Sequence, residues 1–342
     1  MSNVFIALSG GVDSAVAAHL LLQQGHSVSA ITMDNGCGNA AEEAAAVAEF
    51  LGIPHYVVDL KAEFTDLVTK PFVAEYCHGR TPNPCVFCNP QIKFGLLLQK
   101  AQELGAEYLA TGHYVSKTQV DGHSFVARAA DAAKDQSYFL YRLTEAQLNA
   151  SIFPLGDLSK EQVREIAKSM QLPPAEKKDS QDVCFISGDY RDYLRAHGVK
   201  PGKGDFVDMD GKKLGQHDGL PFYTIGQRRG LGLALGYPAY VVQLNAAQNQ
   251  VVVGREEELF ATTAICEDVH LTVPQGESLR ALAKVRYRSR TIPAAVELRG
   301  DKMLVTLDTA ERSVTPGQSL VLYDETDTYV LGGGVITADK NW

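Results

Sequence analysis

Two segments of the chain carry residue types that do chemistry. The first is Ser9-Gly10-Gly11-Val12-Asp13-Ser14. It follows the apolar run Val4-Phe5-Ile6-Ala7-Leu8, which reads as a buried strand, and it precedes an Ala/Leu-rich run over 15–22 that reads as a helix. Two glycines at such a turn let the backbone come close to an oxyanion, and the N–H groups of the helix start then bind it. The pattern G-x-x-x-x-G-K-[ST] is absent, so γ-phosphoryl transfer is not the predicted chemistry. The second segment is Thr81-Pro82-Asn83-Pro84-Cys85-Val86-Phe87-Cys88-Asn89. Its prolines and asparagine predict a rigid turn, which places both thiols in an irregular loop just before a helix over 92–104. A helix N-terminus lowers a thiol's pKa. A third thiol, Cys184, follows Lys177 and Lys178, whose charges would also favour a thiolate.

The elements that must position these residues change in texture along the chain. Over 1–195, strands at 28–33, 55–59 and 108–113 alternate with helices at 40–51, 92–104 and 157–170. This alternation predicts a parallel sheet with helices on both faces. Ligands of such sheets bind at the carboxyl ends of the strands, here Ser9, Met33 and Gly112. Residues 196–262 read as a small β-rich domain. Over 263–342, short strands at 282–287, 294–298, 303–307, 319–323 and 329–336 predict a small β-barrel. In that region Lys284, Arg286, Arg288 and Arg290 alternate with a period of two, which on a strand would turn all four to one face and Tyr287 to the other.

The bulk numbers narrow the function classes. The 342 residues are 45% hydrophobic and 21% charged, as in a soluble globular protein of two or three domains. No leader pattern and no apolar run long enough for a membrane span is present. Six cysteines in this length suit a reducing cytoplasm better than a disulfide scaffold. A net charge of −9 excludes a generally basic nucleic-acid coat but not a local patch. Nothing demands more than a monomer.

Taken in order, the motifs are specific. Ser9 to Ser14 resembles the PP-loop of ATP pyrophosphatases, which cleave ATP between the α and β phosphates. With it come T-P-N-P-x-x-x-C-N-x-x-I-K-F, Ala110-Thr111-Gly112-His113-Tyr114, Lys134-Asp135-Gln136-Ser137, the 179–186 stretch, Gly226-Gln227-Arg228-Arg229-Gly230, Thr315-Pro316-Gly317-Gln318 and Leu331-Gly332-Gly333-Gly334. Together they resemble the bacterial tRNA-specific 2-thiouridylases over essentially the whole chain. The resemblance implies a PP-loop α/β domain followed by two small β-rich domains, the last a barrel. It implies adenylation of the C2 oxygen of the wobble uridine in tRNAs for Lys, Glu and Gln, then replacement of that oxygen by persulfide sulfur. ATP with Mg²⁺ is the implied cofactor, and tRNA and an upstream sulfur donor (a persulfide carrier protein or sulfide) are the implied partners. Cys88 matches the nucleophile and Cys184 the persulfide carrier, with a Cys88–Cys184 disulfide possible during turnover. Ala7, Leu8, Ser9, Gly10, Gly11, Val12, Asp13, Ser14, Met33 and Gly112 match ATP-binding positions. Asn83, Pro84 and Cys85 match the loop that touches the target base, and His113, Lys134, Asp135, Gln136, Arg286, Tyr287 and Gln318 match tRNA-contacting positions.

The chain departs from that pattern at Cys85, where many members have Asp. The change creates Cys85-x-x-Cys88, so Cys85, Cys88 and Cys184 could instead hold a [4Fe–4S] cluster whose open iron binds sulfide. Cys77, His78, Cys85 and Cys88 as a zinc site is a weaker alternative. A PP-loop ligase acting on a small molecule and a non-enzymatic RNA-binding protein are the competing functions.

Overall fold

The computed structural model describes residues 1–172, 183–274 and 276–339. Lys177, Lys178 and residues 179–182 of the cysteine motif therefore lie outside the described residues. Strands β1 (Asn3–Ala7), β2 (Ser27–Asp34), β3 (His55–Asp59) and β4 (Tyr108–Thr111) and the short strand Ser151–Ile152 form one parallel sheet. Their spatial order is β3, β2, β1, β4, then Ser151–Ile152. Alternation along β1 sends Val4 and Ile6 to one face and Phe5 to the other. Helices α1 (Val12–Gln23), α2 (Ala40–Leu51) and Lys160–Ser169 cover the first face. Two longer helical runs, 61–77 and 85–103, cover the second, and each contains a π-wound stretch, Thr65–Thr69 and Asn89–Leu97. The predicted fold class is the observed one.

Two helix boundaries differ from expectation for local reasons. The 157–170 helix starts at Lys160 because Ser159 caps it, accepting from the Gln162 N–H at 3.2 Å while the Gln162 side chain accepts from the Ser159 N–H at 2.8 Å. The helix expected over 92–104 begins at Cys85 instead. Pro84 stands at φ −66° and the Asn83 side chain accepts from the Cys85 N–H at 3.2 Å, so the prolines start the helix rather than delaying it.

The β-rich remainder has two sheets. Tyr240–Asn245, Gln250–Gly254, Gly204–Val207 and Lys213–His217 form a four-stranded sheet in that order. Phe260–Leu271, Lys302–Arg312, Ile292–Arg299, Ser278–Lys284, Ser319–Tyr323 and Val330–Ile336 close into a barrel. The basic stripe is not on a strand. Ser278–Lys284 ends at its first member, and Ser289 turns the chain by donating to the Arg286 carbonyl from its N–H (3.1 Å) and its hydroxyl (3.0 Å). Lys284 is buried, Arg286 bonds Glu311 at 2.9 Å and the Arg312 carbonyl, and Arg288 and Arg290 are exposed. Tyr287 folds back onto Phe139, ring centres 4.4 Å apart.

The barrel is joined to the first domain by a buried charge network. A hairpin, Ser116–Val120 and His123–Ala127, leads into Arg128, which donates to Asp135 at 2.7 Å, pairs with Asp327 and lies 4.0 Å over the Tyr323 ring. Asp135 is 3% exposed and also accepts from the Ala129 N–H, the Ser137 N–H and the Ser137 hydroxyl. Arg128→Ala strands that carboxylate. We expect a loss of about 3 kcal/mol, the scale for breaking a buried pair, measured by thermal and urea denaturation; a loss below about 1 kcal/mol, the exposed-pair scale, would show that the network is decorative.

Candidate active site

The loop after β1 is built to hold an anion. Gly10 has φ +72°, and a Cβ there would lie 2.3 Å from the Glu43 Cβ, so only glycine fits. Ser14 holds the turn closed: its hydroxyl accepts from the Ser9 N–H at 3.2 Å, donates to the Gly11 carbonyl at 3.1 Å and touches the Ser9 hydroxyl at 3.2 Å. Gly11 precedes α1 and provides no side-chain cap. The first N–H groups of the helix are thus left for an oxyanion. Gly112, just past β4, lies against this turn so closely that a Cβ would sit 2.8 Å from the Ser14 nitrogen. Met33, on β2, is half-buried. The carboxylate of Asp13 receives the Tyr114 hydroxyl at 2.8 Å and the Lys160 ammonium at 2.7 and 2.9 Å. His113 bonds Thr111 through Nδ1 at 2.8 Å, and burial, then the nearby Lys93 charge, holds its pKa well below the usual imidazole range. A neutral ring follows.

The thiols gather on the other face of the sheet. Cys85 and Cys88 stand three residues apart on the first helical turn, so they share one side of it. Cys88 is buried in the core; Cys85 is half-buried. Cys184 is exposed, in a turn planted by Phe185, whose ring packs edge-on against Phe64 and Phe72 at 5.6 and 5.3 Å. All six cysteines are free thiols. Lys93, two turns along the same helical run, acts electrostatically on Cys85, Cys88 and Cys184, and these thiols also act on one another.

The helix start does not produce thiolates here. Loss of water wins: burial pushes Cys88 up to about 12 and raises Cys85, and desolvation of the sulfur raises Cys184 even though the residue as a whole is exposed, with Lys93 only partly offsetting it. The raised Cys88 value also sets a sign for stability. The folded chain keeps a proton that the unfolded chain loses, so this contribution is whole below the ordinary thiol pKa and is lost as pH climbs toward 12. Removing the offsetting charge should raise the thiols further. With Lys93→Met, the pH profile for alkylation of Cys184 is expected to move upward by about one unit, read by mass spectrometry of iodoacetamide-treated protein; an unmoved profile would remove Lys93 from the thiol site.

Three family models cover the chain in order. That described as the tRNA methyl transferase HUP domain matches residues 2–188, the tRNA methyl transferase PRC-barrel domain 191–255, and the aminomethyltransferase beta-barrel domain 261–336. The tRNA-specific 2-thiouridylase MnmA of Trichlorobacter lovleyi is 47% identical, over 99% of this chain and 98% of its own. That of Syntrophomonas wolfei is 46% identical over 98% and 99%, and MnmA 1 of Clostridium tetani 45% over 98% and 96%. The chain belongs to the tRNA-specific 2-thiouridylase family.

Within that family frame, several positions expected to touch tRNA are engaged inside the protein. Asp135 is consumed by Arg128 and Ser137. Gln136 and Tyr114 exchange two bonds of 2.9 Å, from the Tyr114 N–H to the Gln136 side chain and from the Gln136 N–H to the Tyr114 carbonyl. Gln318 donates to the Thr81 carbonyl at 2.7 Å, and the Thr81 N–H donates to the Pro316 carbonyl at 2.8 Å. Lys134 is half-buried beside Asp131, with its N–H 3.0 Å from the Asp131 carbonyl. Asp135, through Arg128 and Asp327, ties the first domain to the barrel, Gln136 supports Tyr114, which bonds Asp13 of the nucleotide loop, and Gln318 ties the cysteine loop to the barrel. Asn83 and Pro84 shape the helix start that carries Cys85. Sequence reasoning gave no role to Lys93, although it is the lysine of the I-K-F end of the cysteine motif, and passed over Lys160, which has no motif signal beyond being a lysine in a helical run.

Metal sites find little support. Among the described residues no group of three or more His, Cys, Asp and Glu side chains is placed to hold a metal ion. Neither the Cys85, Cys88 and Cys184 set nor the Cys77, His78, Cys85 and Cys88 set is among such groups. Magnesium asks less of a protein: it arrives largely on the phosphates, and it would be held by them here, since both oxygens of Asp13 are already taken by the Lys160 ammonium.

Proposed function

We propose that the protein replaces the C2 oxygen of the wobble uridine in tRNAs for Lys, Glu and Gln by sulfur, at the expense of ATP. The observation that carries this reading is one fold holding both an oxyanion cradle at the end of β1 and a set of mutually interacting thiols around Lys93. The names of the matching family models speak of methyl transfer and those of the relatives of thiolation; the clustered thiols favour thiolation.

A urea-type carbonyl oxygen is a poor leaving group. In the first half-reaction the C2 oxygen attacks the α-phosphorus of ATP, pyrophosphate leaves, and the oxygen becomes part of a good leaving group, AMP. The cradle of Gly10 to Ser14 binds the phosphates, and bound magnesium would neutralise their charge. In the second, the terminal sulfur of a Cys184 persulfide attacks C2 and AMP departs. The Cys88 thiolate then attacks the Cys184 sulfur, which frees the 2-thiouridine and leaves a Cys88–Cys184 disulfide for an external thiol to reduce. A carrier protein's persulfide reloads the reduced Cys184 thiol by handing over its outer sulfur and leaving as a thiol; sulfide reloads it only by opening the Cys88–Cys184 disulfide itself, which gives the Cys184 persulfide and a free Cys88 thiol. The uridine must leave its stack to reach these groups, and the exposed Arg228, Arg229, Arg288 and Arg290 supply charge for the tRNA backbone. Among the described residues Cys85, Cys88 and Cys184 are not grouped as metal ligands, so the sulfur is routed through the persulfide rather than through sulfide on an iron–sulfur cluster.

The test measures AMP and pyrophosphate with and without substrate tRNA. Release that depends on tRNA, together with 2-thiouridine in the digested product, is expected. Equal release without tRNA would indicate a small-molecule ligase, and no ATP cleavage under any condition would indicate an RNA-binding protein.

A further inference from the structure

Lys160 is an improbable residue for its place. It opens helix Lys160–Ser169, where the positive end of the helix dipole disfavours a cation. It is 7% exposed, a depth at which an ammonium needs a partner. Its Nζ reaches both oxygens of Asp13, at 2.7 and 2.9 Å, and lies 5.8 Å from the centre of the Tyr114 ring. Tyr114 donates to the same carboxylate. The Ser159–Gln162 capping box, and a 2.9 Å bond from the Lys160 N–H to the Asp131 carboxylate, fix the backbone from which the side chain departs. Stability alone does not call for this arrangement, since a well-packed apolar pair avoids the desolvation cost.

Asp13 presents the problem that Lys160 resolves. Its carboxylate stands in the first turn of α1, at the helix start that would cradle a polyphosphate, so anion would face anion. The geometry points to Lys160 as a positioning residue for ATP: it neutralises Asp13 and holds it aside, so that the triphosphate enters the cradle without repulsion. This role rests on the ATP-dependent reading of the site, and it assigns to the 160–169 helix a part in nucleotide binding.

Equilibrium titration of the full chain with ATP and magnesium tests it. Lys160→Met is expected to weaken ATP binding at least about tenfold, and Lys160→Arg, which keeps the charge, to retain most of it. Adding Asp13→Asn to Lys160→Met should recover binding, because the uncompensated charge has gone; a purely structural lysine would show no such recovery. Circular dichroism and melting identify the folded variants, and Lys160→Gln carries the same comparison if the methionine variant does not fold. Undiminished ATP binding by a folded Lys160→Met, or no recovery in the double variant, overturns the proposal. Failure of the unaltered chain to bind ATP overturns the nucleotide reading first, and this role with it.

Discussion

Replacing Cys88 by serine is expected to abolish sulfur transfer while leaving tRNA binding and the first, pyrophosphate-releasing half-reaction in place. A hydroxyl fills nearly the same volume as the thiol, so the core around Cys88, which includes Val86 and Ile92, keeps its packing. It cannot attack the Cys184 sulfur to release the 2-thiouridine, however, and a reaction that loses its nucleophile falls by several orders of magnitude. The readouts are 2-thiouridine in digested tRNA, tRNA affinity by filter binding, and pyrophosphate in a single turnover. Thiolation at an undiminished rate in this variant would remove Cys88 from the mechanism. Because burial holds its thiol near pH 12, the same assay on the unaltered protein should speed up as pH rises through 7 to 9, by up to about tenfold per unit while thiolate is limiting.

Gly112→Ala should silence the other half of the site. The added Cβ would fall 2.8 Å from the Ser14 nitrogen and 2.9 Å from the Asp13 carbonyl carbon. Both are backbone atoms of the cradle, so no side-chain rotation relieves the contact and the turn itself must shift. A displacement of this kind in a reacting geometry costs about a hundredfold in rate. Stability should fall by only about 1–3 kcal/mol, the scale of local overpacking. Pyrophosphate release with tRNA present, and a melting curve, separate the two effects. A variant as active as the parent would mean that Gly112 does not position the cradle.

What could be read from the sequence divides along physical lines. The strand–Gly–Gly–helix signal at 4–22 is local, and every part of it has the predicted conformation. The parallel sheet and the barrel follow from periodicity and spacing, and both appear. The alternation of Lys284, Arg286, Arg288 and Arg290 misled because period two is also what a turn can carry, and nothing local told that Ser289 would close one. Thiol ionisation was misread at Cys88 because a helix start is visible in sequence and burial is not. Lys160 was hidden for the opposite reason. Its neighbours Glu161, Arg164, Glu165 and Lys168 lie on the wet side as their spacing suggests, and only a contact 147 residues away in sequence marks Lys160 as different.

The barrel's grip on residue 81 bears on how modular the protein is. The Pro316 carbonyl and the Gln318 side chain fasten Thr81, and Gly317 is so near that a Cβ there would meet the Thr81 nitrogen at 2.8 Å. Four residues later comes Cys85. The C-terminal module is therefore part of the scaffold for the sulfur chemistry, and cutting the chain before it would release the loop that starts the cysteine helix. Chimeras between relatives would have to exchange 80–84 and 315–318 as one cassette, and drift at either segment would be tolerated only when matched at the other.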